Sequence, residues 1–227
     1  YRCEERVLRM ILADAVARAK VIGMHLKRDF RYIKSRVLGR DLLEPEYRRI
    51  YSLMCNDARQ SRQSSKFWLQ IFRAMEKELL CTGLRDFKRQ MWNSYFSSKS
   101  PSKAMFFSAM WQYYNHVKKK DKLNLLDTLA EPSLGNPELF EIDGRKLTMD
   151  LLQSIDEFYA ITAFAKIKQN ESIVICEVGG GYGRLAYVFL QAMPNVHYVF
   201  VDLPQSLIVA YYYLSHLYRK EIHTYDV

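Results

Sequence analysis

The sequence predicts an α/β fold in its second half, preceded by a mainly α-helical region. A run of β-branched residues ends at Glu177, and four of the nine glycines of the chain follow within the next six residues. A second apolar run, Val196–Val201, ends in Asp202. No segment before residue 130 requires a strand, because its apolar residues recur at helical spacing.

Composition fits a globular protein. The chain has 227 residues, of which 49% are hydrophobic and 26% charged, so it is long enough for one large domain or two small ones. No apolar run approaches the ~18 residues of a membrane span. The four cysteines are far apart and have no metal-ligand spacing. We therefore predict free thiols in a reducing cytoplasm and no metal site.

The net charge of +9 is unevenly distributed. Residues 1–130 carry 27 Lys and Arg against 13 Asp and Glu, whereas residues 131–227 carry 7 against 12. This asymmetry favours a division into a helical region, 1–129, and a second domain, 130–227. The basic half is compatible with an anionic membrane surface, an anionic glycan, nucleic acid, or a solvated helical surface without a partner.

Several helices are predicted in the first region. Residues 3–38 are predicted to form one helix, or two with a break at Gly23, and this basic, amphipathic stretch suits either a membrane surface or packed helices. The next runs from Glu44 to Arg59, with Pro45 in its first turn. Further helices carry residues 67–79, residues 84–95 and Met105–Val117. Their aromatic stripes are expected to form the core between helices rather than a base-stacking platform.

The second domain alternates predicted strands and helices. A hairpin is expected at residues 140–147, turning at Asp143 and Gly144. A helix capped by Thr148 should run to Lys168. The helix after Asp202 should bury Leu207, Ile208, Tyr211, Leu214 and Leu217. A third strand is expected at residues 222–227, and we expect the remaining strands of the sheet to follow Val227.

The glycine-rich loop has the composition of a ligand-binding turn. Glycine permits positive φ and close approach of a ligand to the backbone, and the next helix offers free N–H groups at its N-terminus. A dinucleotide fingerprint starting at Gly179 requires Gly or Ala at position 184, where this chain has Arg184. A nicotinamide dehydrogenase is therefore disfavoured, and an incidental glycine-rich turn remains the structural alternative.

The pattern Glu-x-Gly-x-Gly-x-Gly, with an acid closing the next strand, resembles the Rossmann-like methyltransferases that use S-adenosylmethionine. More specifically, the chain resembles the bacterial sugar O-methyltransferases from about residue 60 onward. The motifs that carry this resemblance are Ser64–Trp68, Gly83–Lys88, Glu131–Pro132 with Gly135–Pro137, Thr148–Ser154, Glu177–Ala186, and Val201–Pro204 followed by Tyr213–Leu214.

The resemblance implies a cytoplasmic enzyme, with membrane association left open, that methylates a sugar hydroxyl in surface-polysaccharide or glycolipid biosynthesis. The acceptor would be a free, nucleotide-linked or lipid-linked carbohydrate, with nucleic acid disfavoured. It implies that Asp202 binds the ribose hydroxyls, that Leu203 packs on adenine, and that Arg184 meets the cofactor carboxylate or an acidic sugar. A surface ion pair is the structural alternative for Arg184. Tyr182 is expected beside Arg184 at the mouth of the loop. The other implied cofactor-binding residues are Glu177, Gly179, Gly180, Gly181 and Gly183.

Two other functions are compatible with the sequence. One is an RNA or protein methyltransferase that uses the basic helical region as a platform. The other is a non-catalytic interaction module on the same fold, which has no need to keep Glu177, the glycines and Asp202. A sugar hydroxyl requires a general base or a metal to become nucleophilic. No residue is nominated for that role, which we expect beyond Val227, and the oligomeric state is open.

Overall fold

The computed structural model describes residues 43–60, 79, 83–90, 103–218 and 222–224, which form a mixed α/β structure. The described elements are helices α1 (Pro45–Gln60), α2 (Phe87–Gln90), α3 (Lys103–Lys118) and α4 (Leu125–Thr128), the strands β1 (Phe140–Ile142) and β2 (Arg145–Leu147), helix α5 (Met149–Phe164), strand β3 (Ile173–Val178), helix α6 (Arg184–Ala192), strand β4 (Val196–Val201) and helix α7 (Pro204–Tyr218).

The helices of the first region pack on the helices of the second. Tyr47 of α1 meets Tyr212 of α7 edge to face, with ring centroids 5.3 Å apart. Tyr113 of α3 donates a hydrogen bond of 2.9 Å to Asp156 of α5, and Lys120 donates one of 2.8 Å to the other oxygen of that carboxylate. Buried residues of both regions form one continuous hydrophobic cluster. The predicted division at residue 129 therefore does not correspond to a gap in the core and stays a prediction.

The predicted hairpin and helix start are confirmed. Strands β1 and β2 pair antiparallel, and Asp143 and Gly144 between them have φ values of 49° and 71°, as a two-residue turn of the I′ class requires. The Thr148 side chain caps α5 by accepting a hydrogen bond of 3.0 Å from the backbone N–H of Leu151. The predicted end at Lys168 is wrong, because the chain turns at Lys166, whose φ is 54°.

Strands β3 and β4 run parallel and are connected by helix α6. Their register pairs Ile173 with Val196 and Val178 with Val201. Alternate residues pack against the helices, whereas the opposite face is exposed and apolar, with Val178 79% and Val174 71% exposed. The predicted strand–helix–strand order is thus confirmed, with both strands ending at the same edge of the sheet.

Other predictions have mixed outcomes. Helices α1 and α3 lie within one or two residues of their predicted bounds. Helix α7 buries Ile208 and Leu214 as expected. The other three residues predicted to be buried there are only partly buried, namely Leu207, Tyr211 and Leu217, whereas Tyr213 is fully buried. Residues 222–224 form no strand. Residues 3–38 and most of the predicted helices at 67–79 and 84–95 lie outside the described residues, as do residues 225–227.

A buried ion pair joins the segment that contains α2 to the loop before the hairpin. Lys88 donates to Glu131, and both side chains are 4% exposed. The second oxygen of Glu131 accepts a hydrogen bond of 2.6 Å from Thr148, the capping residue of α5. The Lys88 ammonium also lies 4.6 Å from the centre of the Tyr213 ring, a cation–π distance. The Glu131 carboxylate thus connects α2 to the start of α5, and Lys88 extends the contact to α7.

No helix in the described part of the chain is both long and apolar enough to span a bilayer.

Removing the Glu131 charge should destabilise the protein strongly. In Glu131→Gln the buried Lys88 ammonium loses its counter-ion, and breaking such a pair typically costs about 3–5 kcal/mol. Urea unfolding followed by circular dichroism measures the change. The matched control is Asp143→Asn, which breaks the exposed pair with Lys118 and should leave the midpoint almost unchanged. Equal midpoints for the two variants would contradict the role given to Glu131.

Candidate functional site

The glycine-rich loop lies where the carboxyl ends of β3 and β4 meet. The Gly179 N–H donates a hydrogen bond of 2.8 Å to the carbonyl of Val201, which extends the parallel pairing by one residue. The loop and the Asp202–Leu203 dipeptide are therefore neighbours at this edge of the sheet. In open α/β sheets, ligands bind outside this edge.

Two different physical reasons account for the glycines. Gly179, Gly181 and Gly183 have φ values of 83°, 61° and 90°, which side chains rarely tolerate. Gly180 is required by space, because a Cβ there would lie 2.3 Å from the Phe200 ring and 2.6 Å from Glu177 Oε2. By contrast, a Cβ on Gly179 or Gly181 would meet no atom within 4 Å. The loop therefore packs on the protein at Gly180 and leaves open space at Gly179 and Gly181.

Asp202 holds this loop. Its Oδ2 accepts a hydrogen bond of 2.9 Å from the N–H of Gly181, and its Oδ1 accepts one of 2.7 Å from the N–H of Leu203. Each carboxylate oxygen retains a further lone pair for another donor. The carbonyl of Leu203 accepts from Ser206 and Leu207 in the first turn of α7, and the Leu203 side chain is half-buried against the core. Asp202 thus connects the loop to the start of α7.

Glu177 lies on the helix-covered face of β3, beneath the loop. Its Oε2 accepts a hydrogen bond of 2.8 Å from the hydroxyl of Tyr198 on β4. Burial raises the pKa of Glu177, and the charges of Glu157 and Asp202 raise it further, while the Tyr198 hydrogen bond and Arg184 act in the opposite direction. The region around the C-terminal ends of β3 and β4 is therefore acidic, and burial there destabilises the charged form of Glu177.

Tyr182 does not lie at the mouth of the loop, contrary to the sequence-based expectation. Its side chain is 3% exposed and packs on the rings of Phe87 and Tyr213, at centroid distances of 5.2 and 5.3 Å. Its hydroxyl donates a hydrogen bond of 2.9 Å to Asp150, and burial raises its pKa well above the ordinary value. Only its backbone remains for a ligand, because the side chain anchors the loop in the core.

Arg184 begins α6 and is held by α5. Its guanidinium forms an ion pair of 2.7 Å with Glu157 and donates a hydrogen bond of 2.8 Å to Ser154. It also approaches the Asp150 carbonyl at 3.4 Å. Of the roles suggested by the sequence, the structure displays the ion pair with a protein acid. The cofactor and substrate roles of Arg184 stay predictions.

The sequence interpretation missed a polar stripe on α5. Asp150, Ser154 and Glu157 are spaced four and three residues apart, so they share one helix face, and each contacts Tyr182 or Arg184. This spacing was a readable signal. Tyr198 was also missed, because nothing in a predicted strand indicates that one tyrosine faces a carboxylate two positions along the neighbouring strand.

Among the residues that the structure describes, no group of three His, Cys, Asp or Glu side chains is placed to hold a metal ion. Comparison of the chain with protein-family models, with curated proteins and with solved structures finds no match.

Gly180→Ala should cost more stability than Gly179→Ala. The added methyl group at 180 collides with Phe200 and Glu177, and overpacking of this kind costs about 1–3 kcal/mol. At 179 the cost is backbone strain alone, about 1 kcal/mol. Urea unfolding of both variants measures the difference, with Gly144→Ala in the exposed hairpin turn as a second strain-only control. A Gly180→Ala variant as stable as Gly179→Ala would contradict the close packing described here.

Glu177→Gln should stabilise the protein at neutral pH. A carboxyl group whose folded pKa is raised contributes stability below its unfolded pKa of about 4.3, and this contribution is lost as pH rises through the folded pKa. The melting temperature of Glu177→Gln relative to the parent should therefore increase over that pH range. Glu141→Gln, at an exposed hairpin position, is the control and should show no such trend. A difference that is independent of pH would show that burial does not raise the pKa of Glu177.

Proposed function

We propose that this protein is an S-adenosylmethionine-dependent O-methyltransferase with a Rossmann-like catalytic fold, acting on a sugar hydroxyl. The observation that carries the proposal is the Asp202 carboxylate bound to the N–H of Gly181. This contact brings together a glycine loop that leaves open space and an acid that directly follows β4. The motifs from Glu131 to Leu214 that resemble the sugar O-methyltransferases support the choice of acceptor.

The electrostatics of the loop favour a cationic ligand over a pyrophosphate. In dinucleotide sites the free N–H groups of the glycine turn and helix N-terminus receive phosphate oxygens. Here a protein carboxylate already takes the N–H of Gly181, and the Glu177 carboxyl group lies against Gly180. These acids would repel a pyrophosphate, whereas they attract the sulfonium and ammonium groups of S-adenosylmethionine.

The described residues fit this cofactor. The open space at Gly179 and Gly181 allows the backbone to approach the ligand. Asp202 keeps lone pairs for two vicinal ribose hydroxyls while it holds the loop, and Leu203 offers an apolar surface beside it. Glu177 is positioned by Tyr198 to orient the loop and, directly or through water, the amino group of the ligand.

The reaction is an in-line displacement, for which the cofactor supplies an activated methyl group and its leaving group. The contribution of this chain is therefore mainly alignment, since holding two reactants in attack geometry removes much of the entropic barrier. Two contacts that hold the loop serve that purpose. Asp202 binds the backbone N–H of Gly181 at the end of β4, and the buried Tyr182 side chain binds Asp150. Removal of the proton from the sugar hydroxyl requires a general base, and we assign none among the described residues.

Calorimetric titration with S-adenosylhomocysteine tests the cofactor. We expect saturable binding to the parent protein and an affinity at least tenfold lower for Asp202→Asn, equivalent to about 1.4 kcal/mol. This substitution retains size but loses the charge and one acceptor. NAD is the control ligand and Asp143→Asn the control variant. Absence of S-adenosylhomocysteine binding, or tighter binding of NAD, would overturn the proposal.

A further inference from the structure

An open pocket of about 560 Å³ lies away from the glycine loop, between the segment containing α2, the loop before the hairpin, and α7. Its wall combines one aromatic ring, Tyr212, with one leucine and five polar or small residues from the two loops. The lining residues are Arg85, Asp86, Ser133, Leu134, Gly135, Asn136 and Tyr212. This volume is within the usual range of small-molecule sites.

The two loops that form the pocket are fixed to each other. The carbonyl of Gly135 accepts a hydrogen bond of 2.9 Å from the backbone N–H of Lys88, and the Asn136 amide donates one of 3.0 Å to Asp86. Gly135 has a φ of 80°, and a Cβ there would lie 2.6 Å from the Phe87 ring. Backbone pairing, a side-chain bond and close packing thus pre-organise this wall, which reduces the entropic cost of binding a ligand.

The chemistry of the wall suits a neutral polyhydroxylated ring. Arg85 donates, Asp86 accepts, and Asn136 and Ser133 can each do both, so vicinal hydroxyl groups find complementary partners. The guanidinium and carboxylate of adjacent residues offset each other, which gives no preference for an anion or a cation. Tyr212 adds an apolar ring with a polar tip, a combination typical of recognition sites for ligands with both apolar and hydroxyl faces.

We propose that this pocket binds a neutral sugar unit of the carbohydrate acceptor. Phe87 contacts both Tyr212 and Tyr182, with centroids 6.3 and 5.2 Å away, so a layer of aromatic side chains separates the pocket from the glycine loop. The pocket therefore holds a sugar unit distant from the reacting hydroxyl in an oligomeric acceptor. That this sugar belongs to the methyl acceptor rests on the proposed function, whereas carbohydrate binding depends on the pocket alone.

An array of neutral and acidic mono- to tetrasaccharides, probed with the labelled full chain, tests this inference. The strongest ligand is then titrated calorimetrically against the parent and against the variants Arg85→Gln and Asn136→Gly. Glycine is chosen at position 136 because it tolerates the φ of 53° there. Arg49→Gln, at an exposed position of α1, is the matched control. S-adenosylhomocysteine is titrated against every variant, because the pocket substitutions should leave that affinity unchanged.

We expect neutral oligosaccharides to bind, and each pocket substitution to weaken their binding at least tenfold while Arg49→Gln does not. Absence of glycan binding, selective binding of acidic glycans, or equal affinity in parent and pocket variants would overturn the inference. If the protein binds glycans through Arg85 and Asn136 but does not bind S-adenosylhomocysteine, the carbohydrate site is supported and the methyltransferase proposal is refuted.

Discussion

The parallel pairing of β3 with β4 is the constraint on which the candidate site depends. In this register Glu177 lies opposite Phe200 and Val178 opposite Val201, so the glycine loop and Asp202 begin side by side. The hydrogen bond from the backbone N–H of Gly181 to Asp202 then holds the loop at this edge of the sheet. A shift of β3 by one residue would reverse its two faces and turn the Glu177 side chain away from the helix-covered face of the sheet.

Support for the loop extends far along the chain. Tyr182 connects it to Asp150 on α5 and packs on Phe87 and Tyr213. Lys88 lies against the same rings, with its charge balanced by Glu131. The segment at residues 83–90, which contains α2, is therefore part of the structure that positions the loop. A cation buried among aromatic rings and paired with one carboxylate ties three separate stretches of sequence into a single core.

Local signals predicted the elements well, and non-local contacts explain what they missed. The strand ends, the Thr148 cap and the Asp143–Gly144 turn follow from periodicity and turn chemistry over a few residues. The prediction for Tyr182 was wrong because a residue between two glycines is expected to be exposed. Its ring is buried because it packs on Phe87, which lies 95 positions earlier in the chain. The Lys88–Glu131 pair likewise depends on the fold, since a lysine in a basic helical region has no signal of burial.

The environment of Glu177 suggests why this carboxylate is present at all. A buried acid with a raised pKa opposes folding at neutral pH, and Tyr198 only partly offsets that effect. Residues selected for stability alone would place an uncharged side chain beneath the loop. A bound cation near Glu177 and Asp202 would offset the repulsion between these two carboxylates, so the ligand would stabilise this part of the fold. An incidental glycine-rich turn gains nothing from this arrangement, and a pyrophosphate ligand would make it worse.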